Sequence, residues 1–334
     1  MVSLLVVFTV LLSSSLTYVI ICCMKGGAKY DMPDHRSSHS APTPTSGGLA
    51  ILVGSWLGLG FAYGQDLLSL SPLPVGLLLA SLLSMVGFFD DMFDLKRRMR
   101  FMAQIILVVI ALAVITLQGL LPQPIYLFFP LLFLWLWLIN LFNFMDGING
   151  IAGVQFVSVS AVMAFFVWQM GMASEAIFTL LLSAAVLGFL VWNFPWGKIF
   201  MGDVGSYFLG FTLGFLWLYT GLINNTLLII WLIMLSVFIL DASMTLLRRM
   251  MLGERFLSPH NQHMYQILAR WFDSHAKVSC LVLVYNLCWL MPLSYALYLT
   301  KINALVAIFL AYFPITLLWL YVRVQFEKTN LVKV

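Results

Sequence analysis

Charge is what this chain has least of. Lys, Arg, Asp and Glu make up 9% of its 334 residues, against 62% hydrophobic. Soluble domains carry about 25% charged residues, so an ordinary water-soluble domain is excluded. Cysteine is scarce too. Cys22, Cys23, Cys280 and Cys288 show neither zinc spacing nor a disulfide framework, and read as small apolar residues in helices. There is no Gly-x-x-x-x-Gly-Lys-Ser/Thr loop and no dinucleotide fingerprint, so a nucleotide would have to be held by other means. The net charge of +4 is too modest to call for a nucleic-acid partner.

Long apolar runs fill the chain instead, and mean hydropathy is +1.01. Eleven segments read as membrane spans: 2–24, 46–63, 72–89, 101–118, 125–142, 151–169, 175–192, 205–223, 226–245, 277–299 and 302–322. Only helices or a closed barrel satisfy the backbone in lipid. The runs are continuous rather than alternating, which predicts an all-α polytopic protein of about eleven transmembrane helices. It reads as one membrane domain over residues 1–334, whose longest non-spanning stretch is 246–276. Sixteen of the seventeen basic residues fall on one side of this alternation, with Lys301 the exception. The positive-inside rule makes that side cytoplasmic, the N-terminus external and the C-terminus internal. No basic residue precedes the first run, so it reads as an N-out anchor rather than a cleaved leader.

The few acids and imidazoles are gathered on that same side. Asp90, Asp91 and Asp94 close the third run. Asp90 and Asp94 are four apart and share a helix face, and such close like charges call for a cation, either Mg²⁺ or a Lys/Arg partner. Asn140, Asn143 and Asp146 recur every three residues, followed by Asn149 and several glycines; amides and a carboxylate offer hard oxygen ligands. Asp203 sits between Gly202 and Gly205 just before a helix, where it reads either as a metal or phosphate contact or as an N-cap. His260 and His263 lie three apart in the longest inner loop, preceded by Arg249. The first inner loop carries Arg36 and His39, a pair suited to a phosphate, then Pro42, Pro44, Gly47 and Gly48. Asp241 lies inside a span and should face the bundle interior, to support the site or to pair with Arg248 or Arg249.

Together these segments resemble the polyprenyl-phosphate N-acetylhexosamine-1-phosphate transferase family (WecA-, WbpL- and MraY-like enzymes). Asp-Asp-x-x-Asp at 90–94, Asn-x-x-Asn-x-x-Asp-Gly at 140–147, Gly-Asp-x-Gly-Ser at 202–206 and His-x-x-His at 260–263 occur in the family's order. The Arg-Ser-Ser-His…Pro-Thr-Pro…Gly-Gly loop and the His-x-x-His-x-Tyr-Gln ending are most similar to the WbpL-like branch, which starts O-antigen chains. Related loops often have Arg-Gly after Pro-Thr-Pro; here Thr45 and Ser46 stand there, which removes one candidate phosphate contact. The resemblance implies transfer of an N-acetylhexosamine 1-phosphate from a UDP-sugar to undecaprenyl phosphate, with release of UMP. It implies Mg²⁺, with Mn²⁺ as a substitute, held by Asn143 and Asp203. It gives Asp90, Asp91, Asp94, Asp146 and Asp203 catalytic roles, and makes Arg36, His39, Asn140, Asn149, Arg249, His260 and His263 substrate contacts. It also implies a multi-pass bacterial inner-membrane enzyme that works from the cytoplasm among membrane lipid, with a homodimer left open.

Two other readings compete. One is a cation-coupled transporter using Asp90, Asp203 and Asp241; transporters place such acids near the midplane, whereas most acids here sit at an edge. The other is a lipid-linked glycosyltransferase acting outside the cell, but only Asp66 and Glu175 would face out. The orientation is directly checkable. A fluorescent protein fused after residue 334 should fluoresce, and an alkaline phosphatase fused there should be inactive.

Overall fold

The computed structural model describes residues 1–24, 30–31, 42–69, 71–120, 128–254 and 261–331. Arg36, His39 and His260 fall outside the described residues. The elements are helices α1 (Val2–Met24), α2 (Gly48–Gly64), α3 (Leu73–Phe93), α4 (Arg97–Leu117), α5 (Phe128–Met145), α6 (Ile151–Gln169) and α7 (Ala173–Asn193). There follow α8 (Gly202–Ile223), α9 (Asn225–Met234), α10 (Ser236–Met251), α11 (Met264–Phe272) and α12 (His275–Tyr285). A π-helical turn, Asn286–Leu290, leads to α13 (Met291–Tyr298), and α14 (Ala304–Leu331) ends the chain. Tyr30–Asp31 pairs antiparallel with Thr43–Pro44 as a two-residue ladder.

The all-helical reading holds, with differences in the spans. Among the described residues nine helical segments are long and apolar enough to cross a membrane, and α9 with α10 makes a tenth if the pair counts as one span. That pair, read as one straight segment, is bent by 63°. The second segment, α2, has only 17 residues, fewer than the roughly 20 that a perpendicular crossing needs. The stretch 246–276 is less of a loop than it reads, because α10 runs on to Met251 and α11 lies inside it. The last helix also continues past residue 322, which puts Arg323 and Glu327 on α14.

α8 is the axis of the bundle. It packs against α3, α5, α9 and α2, and residues Val204 to Gly221 are all buried. A helix apolar all round belongs inside. α1 and the outer faces of α12 and α14 instead expose large apolar side chains such as Leu4, Leu11, Leu281 and Phe309, as lipid-facing helices do. Lipid tails give no hydrophobic drive between helices, so close approach and hydrogen bonds hold them together. Ser13 Oγ donates to the Ala185 carbonyl at 2.6 Å, Ser84 Oγ to the Val204 carbonyl at 2.7 Å, and Trp135 Nε1 to the Phe211 carbonyl at 3.1 Å. The approach of α3 to α8 is the one that positions the site. A Cβ on Gly87 would stand 2.5 Å from the Asp203 carbonyl oxygen. Gly87→Ala must therefore push α8 away, and overpacking of this kind costs about 1–3 kcal/mol. Gly60→Ala, where nothing lies within 4 Å, is the control. Thermal unfolding in detergent should show a lowered midpoint for the first variant and none for the second.

Candidate active site

The ends of α3 and α5 meet the starts of α4 and α8 in one recess. Asn143, in the last turn of α5, donates from Nδ2 to Asp203 Oδ1 at 2.7 Å and to Ser206 Oγ at 3.1 Å. The Asp203 backbone N–H, in the first turn of α8, donates to Asp91 Oδ2 at 3.1 Å. Gly202 makes this contact attainable. Its φ is +72°, and Asp91 Oδ2 lies 2.5 Å from where a Cβ would sit. Arg100, in the first turn of α4, forms an ion pair with Asp90 and reaches Asp203 Oδ2 at 3.5 Å. Asp90 is buried, so its charge requires such a partner. A cation at a helix start opposes the helix dipole, and here the carboxylates of Asp90 and Asp203 offset that penalty.

Asp146 follows the end of α5. Its carboxyl is pushed up to about 7, mainly by burial and further by the charge of Asp91. The recess thus concentrates negative charge in a poorly solvated place, and a cation arriving there would relieve it. Among the described residues no group of three or more His, Cys, Asp or Glu forms a ready-made metal cage. Asp94 is different from its neighbours. It is exposed and closes α3 in the left-handed conformation, with φ 51° and its N–H on the Asp90 carbonyl.

The end of the connection between α1 and α2 is brought to the same place. The Phe200 N–H donates to the Pro44 carbonyl at 2.8 Å. The N–H groups of Gly47 and Gly48 donate to the carbonyls of Phe200 and Met201, each at 2.9 Å. Residues 44–48 are thereby zipped onto the segment that leads into Asp203. Ser46 holds φ +77° there, a conformation that favours glycine, at the position where related loops carry one.

Four expected substrate contacts also make contacts within the chain. Asn140 donates to Gln104 Oε1 at 2.8 Å and to the Leu136 carbonyl at 2.7 Å, tying α5 to α4. Asn149 accepts from Ser279 Oγ at 2.9 Å through its carbonyl and joins the α5–α6 turn to α12. Arg249 is buried and pairs with Glu254 at 3.1 Å. His263 is buried as the N-cap of α11, its Nδ1 3.8 Å from Asp241 Oδ1. Arg249 and His263 are enclosed by helices, where a polar group needs a partner. Asp241 pairs with neither Arg248 nor Arg249. Arg248 pairs with Glu327, while Asp241 accepts from the N–H groups of Met264 at 2.8 Å and Tyr265 at 3.0 Å. Its negative charge thus sits at the positive start of α11.

Arg100 is the site residue that sequence reasoning overlooked. It belongs to the run Lys96–Arg100, which membrane orientation explained without remainder. The pointer was its place ten residues after Asp90, just across a turn.

A model described as Glycosyl transferase family 4 matches residues 73–221, which span the Asp-Asp-x-x-Asp, Asn-x-x-Asn-x-x-Asp-Gly and Gly-Asp-x-Gly-Ser segments. The chain is 28% identical over 315 residues to a probable undecaprenyl-phosphate N-acetylglucosaminyl 1-phosphate transferase of Bacillus subtilis (strain 168), covering 90% of this chain and 85% of the relative. It is also 28% identical over 258 residues to the undecaprenyl-phosphate alpha-N-acetylglucosaminyl 1-phosphate transferase of Salmonella typhi, covering 72% and 69%. The Escherichia coli (strain K12) protein of that description matches over the same length, at the same identity and coverage.

The raised carboxyl of Asp146 has a stability consequence. The folded chain holds this proton to about pH 7, whereas an unfolded Asp releases it near pH 4. The fold binds more protons than the unfolded state across that window, so stability falls as pH rises through it. Asp146→Asn removes the repulsion with Asp91. In metal-free buffer it should unfold at a higher temperature than wild type at pH 8, with the gap closing by pH 5, and it should lose activity.

Proposed function

Since the chain belongs to the polyprenyl-phosphate N-acetylhexosamine-1-phosphate transferase family, we propose that it transfers an N-acetylhexosamine 1-phosphate from a UDP-sugar to undecaprenyl phosphate, releasing UMP. The observation that carries this reading is the convergence of Asp91, Asn143, Asp203 and Arg100 at one end of an apolar bundle. The acceptor lives in the bilayer and the donor in water, so the reaction needs a polar recess at their boundary. Most acids gather at that end, and Asp241, inside a helix, is committed to capping α11, which argues against a transport path.

A phosphate oxygen of the lipid attacks the β-phosphorus of the sugar nucleotide. The new P–O bond forms as the bond from that phosphorus to the bridging oxygen breaks, and UMP leaves with the bridging oxygen. A phosphate monoester has its second pKa near 6, so it is already ionised at about pH 7 and needs no strong base. Asp90 is committed to Arg100 and Asp91 to the Asp203 N–H, which favours positioning roles for both and direct attack over a covalent aspartyl-phosphate. Arg100 supplies positive charge where two anions meet.

Asn143 and Asp203 would hold Mg²⁺, which offsets the charge of the reacting phosphates when bound. The fit is chemical. Amide and carboxylate oxygens are hard ligands, and Mg²⁺ commonly takes one or two protein groups, leaving its other positions to water and substrate phosphates. Mn²⁺ shares that preference. The basic residues on one side of the alternation support an inner-membrane enzyme whose recess faces the cytoplasm. The relatives' names favour N-acetylglucosamine as the sugar. An initiating role in O-antigen-type polysaccharide is supported by the resemblance of residues 36–48 and 258–266 to the WbpL-like branch.

Purified protein mixed with undecaprenyl phosphate, Mg²⁺ and UDP-N-acetylglucosamine should release UMP, and chelation should stop it. A panel of UDP-N-acetylhexosamines then ranks the donors. Asp203→Asn should keep expression and lose roughly 100-fold in rate or more. No UMP with any donor on the panel would refute the transferase reading; wild-type turnover in Asp203→Asn would refute the metal assignment.

A further inference from the structure

A second polar system lies beside the recess, and it starts on the last helix. Arg323 of α14 is 4% exposed. Its guanidinium stacks over the Trp319 ring at 5.2 Å, and Nη2 donates both to the Gln262 carbonyl and, at 3.3 Å, to Thr245 Oγ1. Trp319 Nε1 donates to the same hydroxyl at 3.2 Å. Thr245 Oγ1 in turn donates to Asp241 Oδ1 at 3.1 Å. Asp241 fixes the N–H groups of Met264 and Tyr265. The Tyr265 hydroxyl donates to the Phe144 carbonyl at 3.0 Å, two residues before Asp146, and occupies the space that a Gly147 Cβ would fill. Two neighbouring contacts clamp the same helix end: Glu327 pairs with Arg248, and Arg270 lies 5.8 Å from the Phe326 ring.

This path is continuous from α14 to the turn that carries Asp146. A buried charge held by neutral acceptors is a poor source of stability compared with apolar packing, because desolvation of the charge is costly. An anchor for a terminal helix in lipid would need no arginine. What Arg323 does supply is geometry: a planar, permanently charged fork that serves two acceptors at once. One of them begins the His263–Tyr265 segment, and the other supports the carboxylate that holds it.

We propose that Arg323 is a positioning residue for the transfer, acting through Gln262, Thr245, Asp241 and Tyr265 to set the place of the Asp146 turn. The proposal rests on the transferase reading, but its test has a second readout that does not. Arg323→Ala, Arg323→Lys and Thr245→Val are made in the full chain. Each is measured for kcat and for KM toward both substrates by UMP release. Each is also measured for amide hydrogen exchange over residues 261–272, in the absence of substrate.

Arg323→Ala should lower kcat about tenfold to a hundredfold, the range that small misplacements of reacting groups produce, with KM for either substrate nearly unchanged. Exchange at Met264 and Tyr265 should accelerate while the later turns of α11 stay protected. Arg323→Lys should recover only part of kcat, since an ammonium keeps the charge but not the planar fork or its stacking on Trp319. Thr245→Val, which cuts the path without removing a charge, should show the same pattern in weaker form and serves as the test if Arg323→Ala does not fold. Wild-type kcat in Arg323→Ala, or in Thr245→Val if that must stand in, overturns the proposal. So does a loss of kcat with exchange at Met264 and Tyr265 unchanged. Failure of the wild type to release UMP refutes the transferase reading alone, and the exchange result still decides whether the path holds the segment.

Discussion

The rest of the structure depends on like charges being held together at the end of an apolar bundle. Asp90 and Asp91 on α3 face Asp203 on α8 across a gap narrow enough that Gly87 can carry no side chain. Carboxylates repel at such range, and burial sharpens the repulsion. The fold meets this in two ways. Arg100 spans Asp90 and Asp203, and the Asp203 N–H points at Asp91. The surplus appears on Asp146, which keeps its proton to about pH 7. A recess built this way attracts cations and has its charge in place before any phosphate arrives, which is the preorganisation that phosphoryl transfer rewards.

Such an arrangement is destabilising by itself, so the surrounding helices must be rigid where they bear on it. Three devices supply that rigidity. Residues 44–48 add backbone hydrogen bonds to the segment entering Asp203. Asn140 and Gln104 lock α4 to α5, so that Arg100 and Asn143 cannot drift apart. The Asp241 cap seats α11 against the end of α5 through Tyr265. The last two place hydrogen bonds between helix ends, and the first ties together the segments that enter α2 and α8. Arg249 and His263 are buried and also take part in this scaffolding.

Much of the fold was legible beforehand. Continuous apolar runs leave the backbone no choice but helices, so class and rough segmentation follow from hydropathy. The departures have local causes. Residues 226–245 read as one span, yet the helix breaks at Leu235 by 63°, because hydropathy registers length and not direction. α14 runs further than its apolar core because a helix does not end where charge begins. At the site, Asp91, Asn143 and Asp203 stand out because polar groups at apolar helix ends are costly unless used. Arg100 did not stand out, since membrane orientation already accounted for a basic cluster there.

Composition and spacing by themselves determined that this chain is a helical membrane protein with its chemistry at helix ends, because both follow from transfer free energies summed along the chain. Which polar groups meet was decided only in three dimensions. Asn140, Asn143 and Asp146 share a spacing of three, yet the first braces α4, the second touches Asp203, and the third takes its repulsion from Asp91. Arg323 lies 82 positions after Asp241 in the sequence, but one threonine hydroxyl links them. Pairings of that kind depend on how helices cross, and crossing is set by the close-packed surfaces of neighbours that no single segment contains.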